Sequence, residues 1–365
     1  MRFLRRIDPC VVAALLTLAS LAASAAPARA QAPERVKYAF ATTTISPIII
    51  SFIVADALGY YKEEGLSVEL LPLGSNAAVM ASLDQKRIDF GAGVPSFQVP
   101  LVAKGERLPA LNYFEYTYPF KWAMAVKPDS PAKRIEDLKG AVIGVSSFGI
   151  TDYPVGKSMM RLLRLDPEKD VQWLAGGEGV TAGQALTNGR IGGLFYYDTG
   201  FGQIEAAGIK MRYLPLPGNV PKVGGLYVSA TRETLEKRRK TAIGFARAVA
   251  KANLYTLENP QAAAYHYLQL YPESGIRAAS MEERVKAVAL PVSKRAPLFR
   301  SYDKTATDLG RIAPSEWDDE IEFLGLKDKI KDPTVFYTND LIAEINRFDK
   351  QAVIDAARRF KLPAQ

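Results

Sequence analysis

Residues Leu71–Ser96, LPLGSNAAVMASLDQKRIDFGAGVPS, govern how the rest of the chain is arranged. The alternation of Leu66, Val68 and Leu70 ahead of them predicts a strand, and Val79, Met80 and Leu83 at helical spacing predict a helix. Gly74-Ser75-Asn76 is the turn between the two, with Ser75 or Asn76 as the helix cap. Arg87-Ile88-Asp89-Phe90-Gly91 then ends the helix and opens a short buried strand that finishes at Val94-Pro95-Ser96. Ligands of open α/β sheets bind outside the carboxyl ends of strands and at helix N-termini. Gly74, Ser75, Asn76 and Ser96 therefore mark a binding crevice.

About 103 residues later the pattern returns. In GGEGVTAGQALTNGRIGGLFYYDT, Gly176–Thr199, Leu186 aligns with Leu83, Arg190 with Arg87, Ile191 with Ile88 and Thr199 with Ser96. Upstream, TTISP (Thr43–Pro47) is echoed by SSFGI (Ser146–Ile150), each after a short apolar strand and before a helix. The repeat predicts two similar α/β lobes with strand ends and helix N-termini facing each other across one cleft.

The start of the chain carries Arg2, Arg5 and Arg6, an apolar run from Val11 to about Ala26, and Ala28-Arg29-Ala30 at the spacing of a cleavage site. This predicts a secretory signal peptide over residues 1–30. Arg5-Arg6 raises a twin-arginine route, although Asp8 and Pro9 interrupt the apolar run such a signal needs, so Sec and twin-arginine export both stay open. Cys10, the chain's one cysteine, leaves with that segment, which excludes disulfides, thiolate metal sites and cysteine nucleophiles from the mature protein. Its removal with four arginines and one aspartate lowers the net charge from +8 to about +5, spread along the chain without a basic-aromatic ladder for nucleic acid.

Val36–Phe40 reads as the first strand, Thr42–Ser46 as a hydroxyl-rich loop, and Pro47 as the opening of a largely buried helix to Gly59. Strand, helix, strand, helix, strand predicts a parallel sheet covered on both faces. In ADALGYYKEEGLSVELLPLGSNAAVMASLDQKRIDFGAG and the later IEDLKG (Ile135–Gly140), the chain resembles the periplasmic substrate-binding proteins of ABC importers, in the family serving nitrate, taurine and other sulfonates, and thiamine pyrimidine precursors. The resemblance spans about Val36–Leu257 and implies a type II two-lobed periplasmic-binding-protein fold, each lobe a mainly parallel sheet flanked by helices. The expected division is 31–126 and 223–365 for the first lobe with the C-terminal helices, and 127–222 for the second.

The aromatic segment LNYFEYTYPFKWAMAVK, from Leu111, is read as a strand with about half its rings in the core and others, Tyr116 and Trp122 among them, on the cleft. Glycines Gly224 and Gly225 fit a hinge between the lobes. Thr43, Thr44 and Ser46 on one side, with Ser146 and the family-implied contacts Ser147 and Thr151 on the other, are oxyanion-binding candidates, and Phe148 and Tyr197 would hold an organic body. Asp198 either pairs with an amine on the ligand or caps the following helix, the cap being the simpler role. No arginine lies in these loops, and Asp318-Asp319-Glu320 reads as a solvated helix face.

Catalytic equipment is sparse. Eukaryotic pyrimidine synthases on this fold use histidine and clustered cysteines, whereas this mature chain has His266 alone. It also lacks a G-x-S-x-G elbow, a P-loop and the dinucleotide G-x-G-x-x-G. The expectation is a non-enzymatic, cofactor-free periplasmic monomer that captures a small organic anion or heteroaromatic compound and delivers it to an inner-membrane ABC permease, with no nucleic-acid partner. A periplasmic sensor for a signalling partner has the same sequence features, and a secreted enzyme is the remote third class.

Overall fold

The computed structural model describes residues 32–274, 280–301, 303 and 305–363; the predicted signal peptide lies outside them. β1 (Glu34–Phe40) leads through a 3-10 turn, Pro47–Ile49, into α1 (Ile50–Ala57) and α2 (Tyr60–Glu63). There follow β2 (Leu66–Pro72), α3 (Asn76–Asp84), β3 (Phe90–Gly93), α4 (Pro95–Ala103) and β4 (Leu111–Thr117). The second lobe holds β5 (Trp122–Val126), β6 (Val142–Val145), α5 (Asp152–Leu162), β7 (Gln172–Ala175), α6 (Val180–Thr187), β8 (Gly193–Tyr197), α7 (Asp198–Ala206) and β9 (Arg212–Leu214). β10 (Leu226–Ala230) returns to the first sheet, and mostly helical chain follows: α8 (Arg232–Lys237), α9 (Arg239–Glu258), α10 (Pro260–Leu270), α11 (Met281–Arg295) and α12 (Pro314–Phe323), then two short helices near the C-terminus.

The two five-stranded sheets have orders β2-β1-β3-β10-β4 and β7-β6-β8-β5-β9. In the first, β1 runs parallel to β2 and β3 while β10 opposes β3 and β4. In the second, β6 runs parallel to β7 and β8 while β5 opposes β8 and β9. Each sheet has one reversed strand, and in each it is the strand that enters from the other lobe. The chain adopts the expected α/β architecture, and the repeat appears as α3–β3–α4 matched by α6–β8–α7.

Two expectations are corrected. The aromatic run is not one strand: β4 ends at Thr117 and β5 pairs in the second sheet, so Trp122–Val126 leaves the 31–126 segment assigned to the first lobe. The first crossover is Tyr118–Lys121, and Lys127–Ser130 is a turn inside the second lobe, closed by Ser130 N–H donating to Lys127 O at 3.1 Å. β4 is buried throughout and β5 almost throughout, so neither strand's pattern reveals the change of sheet. Secondly, Asp318-Asp319-Glu320 is not wholly solvated, because Glu320 is buried against the second crossover while Asp318 faces solvent.

Burial anchors each lobe separately. Ile50, Phe52, Ile53 and Val54 of α1 are fully buried, and Phe245 of α9 stacks on Phe90 at 4.6 Å and on Tyr61 at 5.5 Å between ring centroids. The second core gathers Met124, Ile143, Met159, Leu186 and Phe195. Such cores, each aliphatic side chain contributing about 1.5–3 kcal/mol when buried, make the lobes firm bodies joined by two thin crossovers.

Candidate functional site

The turn at Gly74 works because glycine accepts φ +77° there, which frees Ser75 to adopt an extended backbone and cap α3. Ser75 Oγ accepts from Ala78 N–H at 3.2 Å. The next residue reaches across the seam: Asn76 donates from both its backbone N–H and Nδ2 to Gly149 O, each at 3.2 Å. Beside it, Thr43 donates from N–H and Oγ1 to Glu178 Oε1, also at 3.2 Å. The lobes are thus in hydrogen-bonded contact through loops at the strand ends.

Behind these contacts is a cavity of about 50 Å³. The first lobe lines it with Thr42, Asn76, Val94 and Tyr116, and the second with Ile150, Thr151 and Tyr197. Lys121, from the first crossover, is the charged residue in its wall. This side chain is 5% exposed, lies 3.8 Å over the Trp122 ring and donates to Gly224 O of the second crossover. Burial, reinforced by the charge of Arg295, pulls its ammonium down to about 7, against the opposing pull of Asp198, Glu320 and Glu115. The Gly224 peptide is also held from its other side, its N–H donating to Glu320 Oε2 at 2.7 Å. Burial pushes Glu320 up to about 7 and raises Glu115, whose second cause is the neighbouring Glu316. Only glycine serves at 224: φ is +83°, and a Cβ would overlap the Trp122 ring.

A buried ion pair ties the C-terminal helices to the second lobe. Arg295, at the end of α11 and 0% exposed, donates from Nε to Asp198 Oδ2 at 2.7 Å and from Nη2 to Asp198 Oδ1 at 2.5 Å. Asp198 is therefore the first residue of α7, accepting from Thr199 N–H at 2.7 Å, and its partner is the chain's own guanidinium. Neither sequence reading of Asp198 anticipated that pairing. Close by, Asp152 is fully buried and accepts from Ser146 N–H at 2.5 Å and Ser146 Oγ at 2.7 Å, and burial pushes its carboxyl up to about 7.

Of the predicted residues, Asn76, Tyr116, Thr151 and Tyr197 meet around the cavity. Gly74, Ser75 and Thr43 serve the seam. Thr44 and Ser46 instead line a separate groove of about 340 Å³, with Gln203 of α7 and Val288 and Pro291 of α11. Ser96 Oγ and Ser147 Oγ are buried with no hydrogen-bond partner among the described residues, whereas Ser146 is engaged by Asp152. Trp122 packs on the hinge glycine, and Phe148, 51% exposed, rests on Tyr153 with centroids 4.8 Å apart; neither lines the cavity. Pattern reading missed Thr42, Lys121, Glu178 and Arg295. A lone lysine inside the apolar run YPFKWAMAV was an available signal for Lys121; Arg295, almost a hundred residues from Asp198 and on a basic helix end, offered none. Among the described residues, no group of three or more His, Cys, Asp and Glu is placed to hold a metal ion.

Two lobes, each with one reversed strand, meeting over a mainly apolar cavity at their seam, define a two-lobed binding-protein fold. The chain belongs to the family described as NMT1/THI5 like, which matches residues 46–263. It is 23% identical over 226 residues to YtlA, a candidate binding protein of Bacillus subtilis (strain 168), covering 62% of this chain and 67% of that one. Among solved structures, one from Bordetella bronchiseptica RB50 superposes with a TM-score of 0.65 at 18% identity, covering 87% of this chain and 98% of the other. The periplasmic aliphatic sulphonate binding protein SsuA of Escherichia coli superposes with a TM-score of 0.60 at 14% identity, over 81% and 87%. The desulfurization enzyme DszB has the fold as well, with a TM-score of 0.52 at 14% identity over 86% and 98%. At these identities the structural likenesses establish the fold.

Proposed function

We propose that this chain is the periplasmic solute-binding component of an ABC importer, capturing a small organic anion or heteroaromatic compound between its lobes and presenting it to a membrane permease. The observation that carries the reading is the cavity at the lobe seam, walled by both lobes and by a crossover, with the lobes hydrogen-bonded to each other across it. A ligand touching both walls stabilises the closed state by its differential contacts, and that state is the signal a permease can recognise. ABC-import and sulphonate-binding relatives of the same fold support the reading. No helix among the described residues is long and apolar enough to cross a membrane.

Binding without turnover is the reading favoured over an enzyme. His266, the one histidine, bonds to Tyr255 Oη at 3.2 Å among the C-terminal helices and is not in the cavity wall. Mass spectrometry of small molecules released from the purified mature protein tests the proposal, followed by calorimetric titration of what is found. A stoichiometric molecule that rebinds unchanged supports it. Chemical conversion of that molecule, or an empty protein that ignores sulfonates, carboxylates and pyrimidines alike, contradicts it.

A further inference from the structure

We infer that Lys121 is the charge-reading residue of the cavity, so that the ligand is an organic anion whose carboxylate or sulfonate meets the Lys121 ammonium. The inference rests on the solute-binding reading and narrows its ligand class by excluding neutral heterocycles.

The geometry that carries it is a count of partners. An ammonium has three donors. Lys121 spends one on Gly224 O and presents another part of its charge to the Trp122 face, yet it lines the cavity and forms no ion pair with any described carboxylate. None of the described carboxylates around it forms an ion pair with it, although Asp198, Glu320 and Glu115 favour its charged form and both Glu115 oxygens and Glu320 Oε1 have no hydrogen-bond partner among the described residues. Asp198 takes the fork of Arg295 and the Thr199 N–H. Glu320 accepts from Gly224 N–H, and Glu115 lies against Glu316, both Glu115 and Glu320 held toward the protonated form by burial. Arg295 adds a second positive charge that disfavours the ammonium. The rest of the wall is uncharged and mainly apolar, with Thr42, Asn76, Thr151, Tyr116 and Tyr197 as its polar members. Burying a cation without a counter-charge is costly, and an anion in this cavity would supply it. Burial and Arg295 bring Lys121 down to about 7, so an arriving anion, by favouring the charged form, would draw a proton in with it. Affinity for an anion therefore falls as pH rises above 7, while affinity for a neutral analogue does not.

The test uses matched probes on the mature protein: acetate, benzoate, methanesulfonate and benzenesulfonate against acetamide, benzamide, methanesulfonamide and benzenesulfonamide, by calorimetry in two buffers of different ionisation enthalpy. At least one anion is expected to bind with proton uptake, and at least tenfold more tightly than its neutral partner. Lys121→Met should erase that ratio, and Lys121→Arg should keep part of it; circular dichroism and melting confirm that the variants fold. Binding of no anion in the panel, equal binding of a neutral partner, or an unchanged ratio in folded Lys121→Met overturns the inference. A neutral molecule that copurifies with the protein and is retained by Lys121→Met would overturn the Lys121 assignment while leaving the solute-binding reading intact.

Discussion

The two lobes are built from the same order of elements but dispose of their polar groups differently. In the first, the helix start at the seam is capped by its own Ser75, and Asn76 and Thr43 are left to reach across. In the second, α6 starts at Gly179 with no side-chain cap, its N–H donating to the buried Tyr196 Oη at 2.8 Å, while Ser146 is occupied by Asp152. The offset repeat sets Asp152 where the first lobe has the apolar Ile49. A shared topology therefore presents one lobe whose Asn76 and Thr43 reach across the seam and another whose Ser146 and Tyr196 are engaged within the lobe. The buried cations sit in neither set of loops but at the first crossover, Lys121, and on α11, Arg295.

Breaking the ion pair between α11 and the second lobe should have the largest effect. Asp198→Ala leaves the Arg295 guanidinium buried and unpaired, and is expected to cost about 3–5 kcal/mol in denaturant unfolding. A loss below about 1 kcal/mol would mean that α11 does not tie the lobes as described. The internal carboxyl of the second lobe comes next. Burial holds the Asp152 proton in the folded state up to about 7, whereas the unfolded chain releases it near 3.8, the ordinary value for an aspartate. Below that value both states are protonated and the group's contribution is complete; as pH rises through the interval it is lost, by up to about 4 kcal/mol. Asn keeps one acceptor and one donor for Ser146, so Asp152→Asn should match the wild type in acid and outlast it at pH 8, as stability curves across that range would reveal.

At the hinge, Gly224→Ala forces a Cβ into the Trp122 ring at a φ of +83°, and a loss of about 3 kcal/mol is expected by the same denaturation measurement. The smallest effect belongs to the first lobe. Ser75→Ala removes the cap of α3 and should cost about 1 kcal/mol in thermal unfolding. A much larger loss would show that Ser75 holds the seam together as well as the helix.

The fold was legible because its periodicities are local. Ser75 as a cap, the α3–β3–α4 unit and its recurrence near residue 180 all follow from spacing within about thirty residues. The cavity wall was legible where it follows strand ends, as for Asn76, Thr151 and Tyr197. It was not legible where the polar chemistry depends on distant chain. Arg295 meets Asp198 and Glu320 meets Gly224 only because the C-terminal helices fold back over the crossovers, and nothing in either member's neighbourhood states the pairing. Trp122 illustrates the converse: its sequence context suggests a ligand platform, and the space above it is taken by Lys121 and the hinge glycine.

Closure of the lobes on a ligand can be tested most directly by cross-linking. A Cβ built on Gly149 lies 3.0 Å from Ser75 Cβ, so a separation of roughly half an ångström or more brings the pair into the range a disulfide spans. In protein produced from Gln31 onward, Ser75→Cys/Gly149→Cys would place two thiols across the seam with no other cysteine in the chain. Oxidative cross-linking is predicted to accelerate, saturably, when the small molecule released from the purified protein is added back. An identical cross-linking rate with and without that molecule would contradict ligand-driven closure.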